Sequence, residues 1–336
     1  MSERVELKGT PVERVSLIVP MLNEAEHVQH LVDDVAAQDF VGPAELLVAD
    51  GGSTDGSAER LREAASAAGV ELILLDNPER YVSAGLNACV RRARGDLIVR
   101  LDCHARYPTD YLRRCAAAAA ETGAWNVGGI VVPEGRTPAE RAAASAMDSP
   151  FGGIGWSRLG GGGGRVETDT VTYGAFRPAA FEAVGLFDES LVRNQDDEFN
   201  LRLRRAGGTV VLDPSIRVVY VPRPSLRAAF RQYFEYGSWK IPVMRKHRQV
   251  LGLRSMAPLM LVLSLVGLAL AGIWLSAARS ALLAEVALYV TLAILFGTRS
   301  IRRRHEPVSL LPRVLASFAA FHFGYGLGMM RGLARR

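Results

Sequence analysis

Residues 255–278, SMAPLMLVLSLVGLALAGIWLSAA, form a run of 24 residues without a single charge, bracketed by Arg254 and Arg279. As a helix the run is long enough to cross a hydrocarbon core of roughly 30 Å, and only a helix would satisfy its backbone there. A second run, residues 280–298, carries Glu285 alone, and the short WLSAARSA connection predicts an antiparallel hairpin with the first. The third, residues 314–330, is shorter, rich in glycine and contains His322. Its length and composition allow it to span, to re-enter or to lie in the interface. A buried hairpin in a soluble core is the competing reading, but uncharged runs of this length are rare in such cores.

Charge follows the same division. Residues 241–336 hold 13 Lys and Arg against Glu285 and Glu306, while residues 1–240 are net acidic, in a 336-residue chain of formal charge +5. The larger part is therefore a poor match for a phosphate backbone, and nucleic acid is excluded as a partner. Arg245, Lys246, Arg248 and Arg254 precede the first run, Arg299, Arg302, Arg303 and Arg304 follow the second, and Arg279 stands alone between them. The positive-inside bias puts both clusters on the cytoplasmic side. A full third span would put Arg331, Arg335 and Arg336 outside, so the bias favours an interfacial or re-entrant segment there. Cys89, Cys103 and Cys115 are too scattered for a disulfide framework or a zinc knuckle, which fits a reducing compartment. The charged start MSERVELKGT lacks the apolar core of a signal peptide, so residue 1 onward is expected in the cytoplasm.

Ahead of the apolar runs the pattern alternates. β-rich stretches at 15–20, 44–50, 70–75 and 96–102 are separated by helix-length stretches near 24–38, 56–68, 82–94 and 108–121. The expectation is an α/β fold whose mixed, mainly parallel sheet is flanked by helices. Residues 1–240 would form this domain, and residues 241–336 a membrane-anchoring region with helices near 255–278, 280–298 and 308–330. Ligands of such sheets collect at the carboxyl ends of the strands, so the polar residues there are the ones to read.

After the first strand comes Pro20-Met21-Leu22-Asn23-Glu24, and after the second Asp50-Gly51-Gly52-Ser53-Thr54-Asp55-Gly56. Neither is a dinucleotide or P-loop fingerprint. A carboxylate such as Asp50 on a glycine-flanked turn can accept the N3–H of uracil, and equally can serve the turn itself, while Asp55 can cap the next helix. The fourth strand ends in Asp102-Cys103-His104. Two residues apart on an extended segment, carboxylate and imidazole would project to one side and could share a divalent ion. Diphosphate oxygens and water would complete an octahedral Mg²⁺ or Mn²⁺. Farther on, Asp196, Asp197 and Glu198 crowd the start of a predicted helix. Dipole complementarity explains part of this, and mutual repulsion that leaves one carboxylate able to take a proton explains the rest.

PxxNE (20–24), DGGSTDGS (50–57), the strand-terminal Asp-x-His and QDDEFNLRLRRAGG (195–208) together resemble the family-2 glycosyltransferases of GT-A fold, over about residues 14–240. RLDCHARYP (100–108), residues 184–208 and FRQYFEYGSWK (230–240) are similar to the membrane-anchored type of succinoglycan biosynthesis. The resemblance implies that Pro20, Asn23 and Glu24 border a nucleotide-sugar pocket, that Asp50 reads uracil, and that Arg80 and Asn87 line the same pocket. It puts Asp102 and His104 at the family's Asp-x-Asp position, the metal and sugar-diphosphate site, with His104 replacing the second Asp. Asp196 matches the catalytic base, with Gln195 replacing the preceding Glu; Asp197, Glu198 and Arg202 belong to the acceptor or product region. Gln232 and Trp239 lie where processive relatives carry Gln-x-x-Arg-Trp, a motif not intact here, so long processive polymerisation is not implied.

The same resemblance implies an inverting transfer from a UDP-sugar, glucose as first choice, to a polyprenyl-diphosphate-linked saccharide at the inner membrane, with Mg²⁺ or Mn²⁺ and the catalytic domain in the cytoplasm. A polyprenyl-phosphate sugar synthase and a silent membrane scaffold that keeps the nucleotide-sugar pocket are the alternatives. The Gly160–Gly164 run with Arg165 is read as a loop over the acceptor rather than a phosphate cradle. Residues 225–240 are read as an amphipathic helix at the membrane surface or over the sheet.

Overall fold

The structure, a computed structural model, describes residues 7–153, 164–248 and 253–334. The chain divides into two compact units, Met1–Val132 with Gly160–Tyr220, and Pro133–Leu159 with Val221–Arg336. The two units interleave along the chain, whereas the expectation sets a single boundary at residue 240.

The first unit is built on β1 (Val15–Met21), β2 (Ala44–Asp50), β3 (Glu71–Asp76) and β4 (Leu97–Arg100), all parallel, in the order β3-β2-β1-β4. Helices α1 (Val28–Ala36), α2 (Ser57–Ala68) and α3 (Val82–Arg92) make the crossovers. β5 (Ala105–Arg106), α4 (Tyr111–Thr122), β6 (Asn126–Pro133), β7 (Val166–Glu167), β8 (Ala175–Phe176) and β9 (Val210–Tyr220) complete a sheet that continues β4-β8-β6-β9-β5, with β7 on β9. β8 runs antiparallel to β4 and β6, as β5 and β7 do to β9, so the sheet is mixed.

β1 is apolar on both faces because both are covered. Leu17 and Val19 pack with Leu31 of α1, Leu61 of α2 and Cys115 of α4; Ile18 points to the other side, with Leu86 of α3, Phe176 and Phe199. The period of two along the strand thus separates two helical layers. α6 (Pro178–Val184) and α7 (Gln195–Arg205) belong to the second layer through Phe181 and Phe199.

β4 ends two residues before the predicted strand does. Asp102 N donates to Tyr107 Oη at 2.7 Å, Ala105 N reaches Asp102 O at 3.2 Å, and the chain turns.

The second unit contains α5 (Pro138–Met147), α8 (Leu226–His247), α9 (Ala257–Ala271), α10 (Ser276–Arg303) and α11 (Leu311–Ala334). The uncharged run 255–278 is not one helix. α9 stops at Ala271, Gly272 caps it by donating to Leu268 O, and α10 starts at Ser276. Fifteen residues of α-helix reach only about 22 Å, short of the hydrocarbon core. Among the described residues α10 is the helix long and apolar enough to cross a membrane, on length and composition. Ser264 Oγ donates to Glu285 Oε1 at 2.5 Å, which satisfies the one acid in that apolar stretch.

α11, the third apolar segment, is the helix on which the others pack. Gly324, Gly328 and Gly332 recur every four residues and lie against Phe230, Phe234 and Ser238 of α8, which step in the same rhythm. A β-carbon at Gly328 would stand 2.1 Å from Phe234 O, so only glycine permits this approach. Two arginines expected to face the cytoplasm are engaged within the unit: Arg303 and Arg304 both pair with Asp148, and Arg304 donates to Pro133 O at 2.8 Å. These contacts, with the Arg141–Glu306 pair, explain why residues 133–159 group with the C-terminal helices.

A candidate nucleotide-sugar site at the strand ends

The loops after β1 and β2 are woven together. Asn23, in the left-handed region at φ 55°, takes Thr54 N on Oδ1 at 2.9 Å and gives its own N–H to Ser53 Oγ at 2.8 Å. Glu24 N donates to Ser57 Oγ at 2.7 Å and Ala25 N to Asp55 Oδ2 at 3.0 Å. Asp50 accepts from Ser53 N and, at 2.6 Å, from Ser53 Oγ, so the turn role read from its spacing is real. Arg80 closes the same loop by donating from Nε to Gly51 O at 2.8 Å and from Nη2 to Gly52 O at 3.3 Å. Pro20 pairs with Ala49 one step before these loops begin. Bonds from Ser57 and the Ala25 amide hold the Asp55 carboxyl below its ordinary range.

At the end of β4, the turn changes what Asp102 and His104 can do. Asp102 Oδ1 accepts the His104 N–H at 2.9 Å, an Asx-type turn, in place of the extended pair the spacing predicts. His104 Nε2 meets Glu24 Oε1 at 3.0 Å instead, and its ring lies 4.5 Å, edge-on, from that of His27. Glu24, His27 and His104 offer three ligating atoms within 4.8 Å of one another. His27 carries no motif signal; it stands at the start of α1, the helix that also carries Asp34. That buried carboxylate takes Arg106 Nε at 2.8 Å, Arg106 Nη2 at 2.6 Å and Tyr107 N at 2.8 Å, binding α1 to the segment after the turn.

Asp196 sits in the first turn of α7 and bonds the buried Arg100 at the end of β4. Loss of solvent raises its pKa above the ordinary carboxylate range; Arg100 works against this, while Asp197 and Asp102 add to it. Strand end, turn and α7 thus bring Asp102, Arg100 and Asp196 into one electrostatic group. Glu198 is fully buried and pairs with Arg202 at 2.9 Å, and Arg202 also donates to Leu186 O at 2.8 Å. This pair anchors the segment ahead of α7. Asn87 is buried as well: its amide donates to Phe187 O and Glu189 Oε1 and accepts from Phe187 N, which holds that segment from the other side.

Arg165 pairs with Asp213 and Glu121, and residues 160–163 of the glycine run lie outside the described residues. In the second unit, Gln232 Nε2 donates to Tyr236 Oη at 3.1 Å, and Trp239 stands half-buried on the same helix. That unit also has an open apolar pocket of about 610 Å³ lined by Phe151, Tyr233, Pro258, Leu261, Phe321 and Tyr325 among others. His322 borders it, bonded to Tyr289 Oη at 3.0 Å and Phe151 O at 2.7 Å.

Residues 16–183 match the family model of Glycosyl transferase family 2. The succinoglycan biosynthesis protein ExoA of Rhizobium meliloti (strain 1021) is 36% identical over 252 residues, 72% of this chain and 74% of that protein. A dolichyl N-acetyl-alpha-D-glucosaminyl phosphate 3-beta-D-2,3-diacetamido-2,3-dideoxy-beta-D-glucuronosyltransferase of Methanococcus voltae is 26% identical over 95% of this chain and 98% of its own. Among solved structures, the mannosyltransferase PcManGT from Pyrobaculum calidifontis, in complex with GDP-Man and Mn²⁺, superposes with a TM-score of 0.65 at 20% identity, covering 94% of this chain and 88% of that one. That likeness carries the fold, which is GT-A.

Proposed function

The chain belongs to glycosyl transferase family 2, and from that premise we propose that it moves a sugar, glucose as first choice, from a UDP-sugar to a hydroxyl of a polyprenyl-diphosphate-linked saccharide, with inversion and with Asp196 as general base. It is a glycosyltransferase of polysaccharide or lipid-linked sugar synthesis. The observation that carries the finer reading is the group at the strand ends: Asp196, its pKa raised, tied to Arg100 beside Asp102.

A base for an acceptor hydroxyl works best when its pKa approaches the operating pH, and desolvation of Asp196 moves it that way. Arg100 opposes that rise and bonds the carboxylate at the end of β4. A single displacement with Asp196 taking the hydroxyl proton needs no enzyme nucleophile, and this supports inversion at the anomeric carbon. Asp50, Asn23, Glu24, Arg80 and Pro20 are proposed to border the nucleoside end, with Asp102 toward the sugar-diphosphate. Asn87 contributes by fixing Phe187, and Glu198 and Arg202 by fixing the approach to α7. Asp197, Gln232 and Trp239 are proposed for the acceptor side. A divalent cation at His104, when bound, offsets charge on the departing diphosphate.

Support for a lipid-borne acceptor comes from the second unit. The exposed apolar residues Ile273, Trp274 and Leu275 mark the tip of the α9–α10 hairpin, and Leu263, Leu283 and Leu295 are exposed on its helices. Such a surface suits a bilayer, and the apolar pocket suits a hydrocarbon chain. The basic residues of 241–336 favour the inner membrane with the catalytic unit in the cytoplasm. Transfer to a bare lipid phosphate is the second reading. It draws on an undecaprenyl-phosphate 4-deoxy-4-formamido-L-arabinose transferase of Klebsiella pneumoniae, 32% identical over 140 residues, 41% of this chain and 42% of that one.

The test is nucleotide release from a panel of UDP- and GDP-sugars with Mg²⁺ or Mn²⁺, offered polyprenyl phosphate or a polyprenyl-diphosphate-linked sugar. Turnover is expected with the lipid-linked sugar, lost in Asp196→Asn with nucleotide binding kept. Consumption of lipid phosphate alone selects the second reading, and full activity of Asp196→Asn removes the base.

A further inference from the structure

His104 replaces a carboxylate of the family pattern, and the structure sets it against Glu24 of the PxxNE stretch and against His27, which no motif contains. We propose that this chain holds its divalent cation with Glu24, His27 and His104, one carboxylate and two imidazoles, and so takes a first-row transition ion in preference to Mg²⁺. The cation's use in sugar transfer rests on the glycosyltransferase reading; the ligand set does not.

Ligand atoms around one ion at bond lengths near 2.1 Å lie roughly 3.0–3.4 Å apart. Glu24 Oε1 and His104 Nε2 are already 3.0 Å apart, and His27 Nε2 is 3.9 Å from Glu24 Oε2. Glu24 Oε2 is buried with no hydrogen-bond partner, an expensive state for a carboxylate oxygen unless an ion completes it. The His30 ring stacks on His27 at 5.3 Å, and its Nδ1 is likewise buried and without a partner, so the face of α1 toward the turn is imidazole-lined.

Asp102, by contrast, turns its Oδ1 to the His104 amide. It shapes the turn that presents His104 and leaves the ion to the other three. Imidazole nitrogen suits the later first-row ions, whereas Mg²⁺ prefers oxygen alone. Three protein ligands leave positions for diphosphate oxygens, and the side chains of Glu24, His27 and His104 are all partly solvent-accessible.

The experiment uses the full chain in detergent, stripped with a chelator and titrated with Mn²⁺ alone, followed by electron paramagnetic resonance. One Mn²⁺ per chain is expected without nucleotide, with coupling to two imidazole nitrogens, and excess Mg²⁺ should not displace it. His27→Ala should weaken binding by at least about tenfold and remove one nitrogen coupling. His27→Gln, which keeps a polar side chain, should lose the same coupling with the metal-free melting temperature unchanged. Asp102→Asn should keep both couplings. An all-oxygen spectrum, wild-type binding in both His27 variants, or displacement by equimolar Mg²⁺ overturns the proposal. Nucleotide release is scored separately: two-imidazole binding without turnover of any donor sinks the transferase reading alone, and turnover with an all-oxygen spectrum sinks the ligand set alone.

Discussion

Arg100 bonds Asp196 Oδ1 across 96 residues of chain and so fixes the first turn of α7 to the end of β4. The pair makes the acid limb of the pH profile a direct report on this contact. As the proposed base, Asp196 would have to be ionised to accept a proton, so activity should fall as pH drops through its pKa, which burial raises and Arg100 lowers. Arg100→Met removes the opposing charge, and the limb of kcat/KM for nucleotide release should move to higher pH. A limb that stays in place would mean that another group is the base.

Asp34 is the clasp behind the turn. Asp34→Ala leaves the Tyr107 amide, which is buried, without its acceptor, a loss of about 1–3 kcal/mol. Because the turn carries His104, Mn²⁺ affinity should fall together with the melting temperature, although no ligand is altered. Chemical denaturation and Mn²⁺ titration of the same variant check both.

Replacing Gly328 by Val forces side-chain atoms into the α8 backbone at Phe234 O. Overpacking of this kind costs about 1–3 kcal/mol. The expected result is a lower unfolding midpoint in detergent, with the first unit's nucleotide affinity kept. Gly267→Val, at a position where a β-carbon meets nothing within 4 Å, is the matched control and should be near neutral.

Glu45 is a fully buried acid on β2 that accepts from Ser16 Oγ at 2.6 Å and from Arg94. Burial alone would raise its pKa, but the bonds from Ser16 and Arg94 outweigh it and hold the carboxyl below the ordinary value near 4.5. A depressed folded-state pKa contributes stability above the unfolded value, and that contribution is lost as pH falls through the folded one. Wild type should therefore lose stability on acidification below about pH 4.5, and Glu45→Gln should flatten that part of the curve. Equal slopes in wild type and variant would contradict the assignment.

The strand ends are legible in the sequence because β1 and β2 are short, largely apolar and bordered at once by turn residues. The acidic start of α7 is legible as a cluster of Asp196, Asp197 and Glu198, while the choice of Asp196 among them comes from the family resemblance. The His104 environment is not, because it depends on Asp34, Arg106 and Tyr107, whose bonds join segments about 70 residues apart. Spacing extends β4 through Asp102, whereas a tyrosine hydroxyl and a backbone turn stop it at Arg100. Asn87 reads as a pocket residue by position, yet its amide is consumed by Phe187, which no local pattern announces. In the apolar region, composition registers the lack of charge in 255–278 but is blind to the break at Gly272. The four-residue glycine rhythm of α11 is present in the sequence; its packing partner appears only when α8 is folded beside it.

The weave of Asn23, Ser53, Thr54, Glu24 and Ser57 has a consequence for binding. Because the segment bearing Glu24 is laced to the one bearing Asp50, the two are held together, and under the proposed function the two ends of a donor would meet one platform. Loading of ion and nucleoside should then be synergistic, each raising the other's affinity by the same factor.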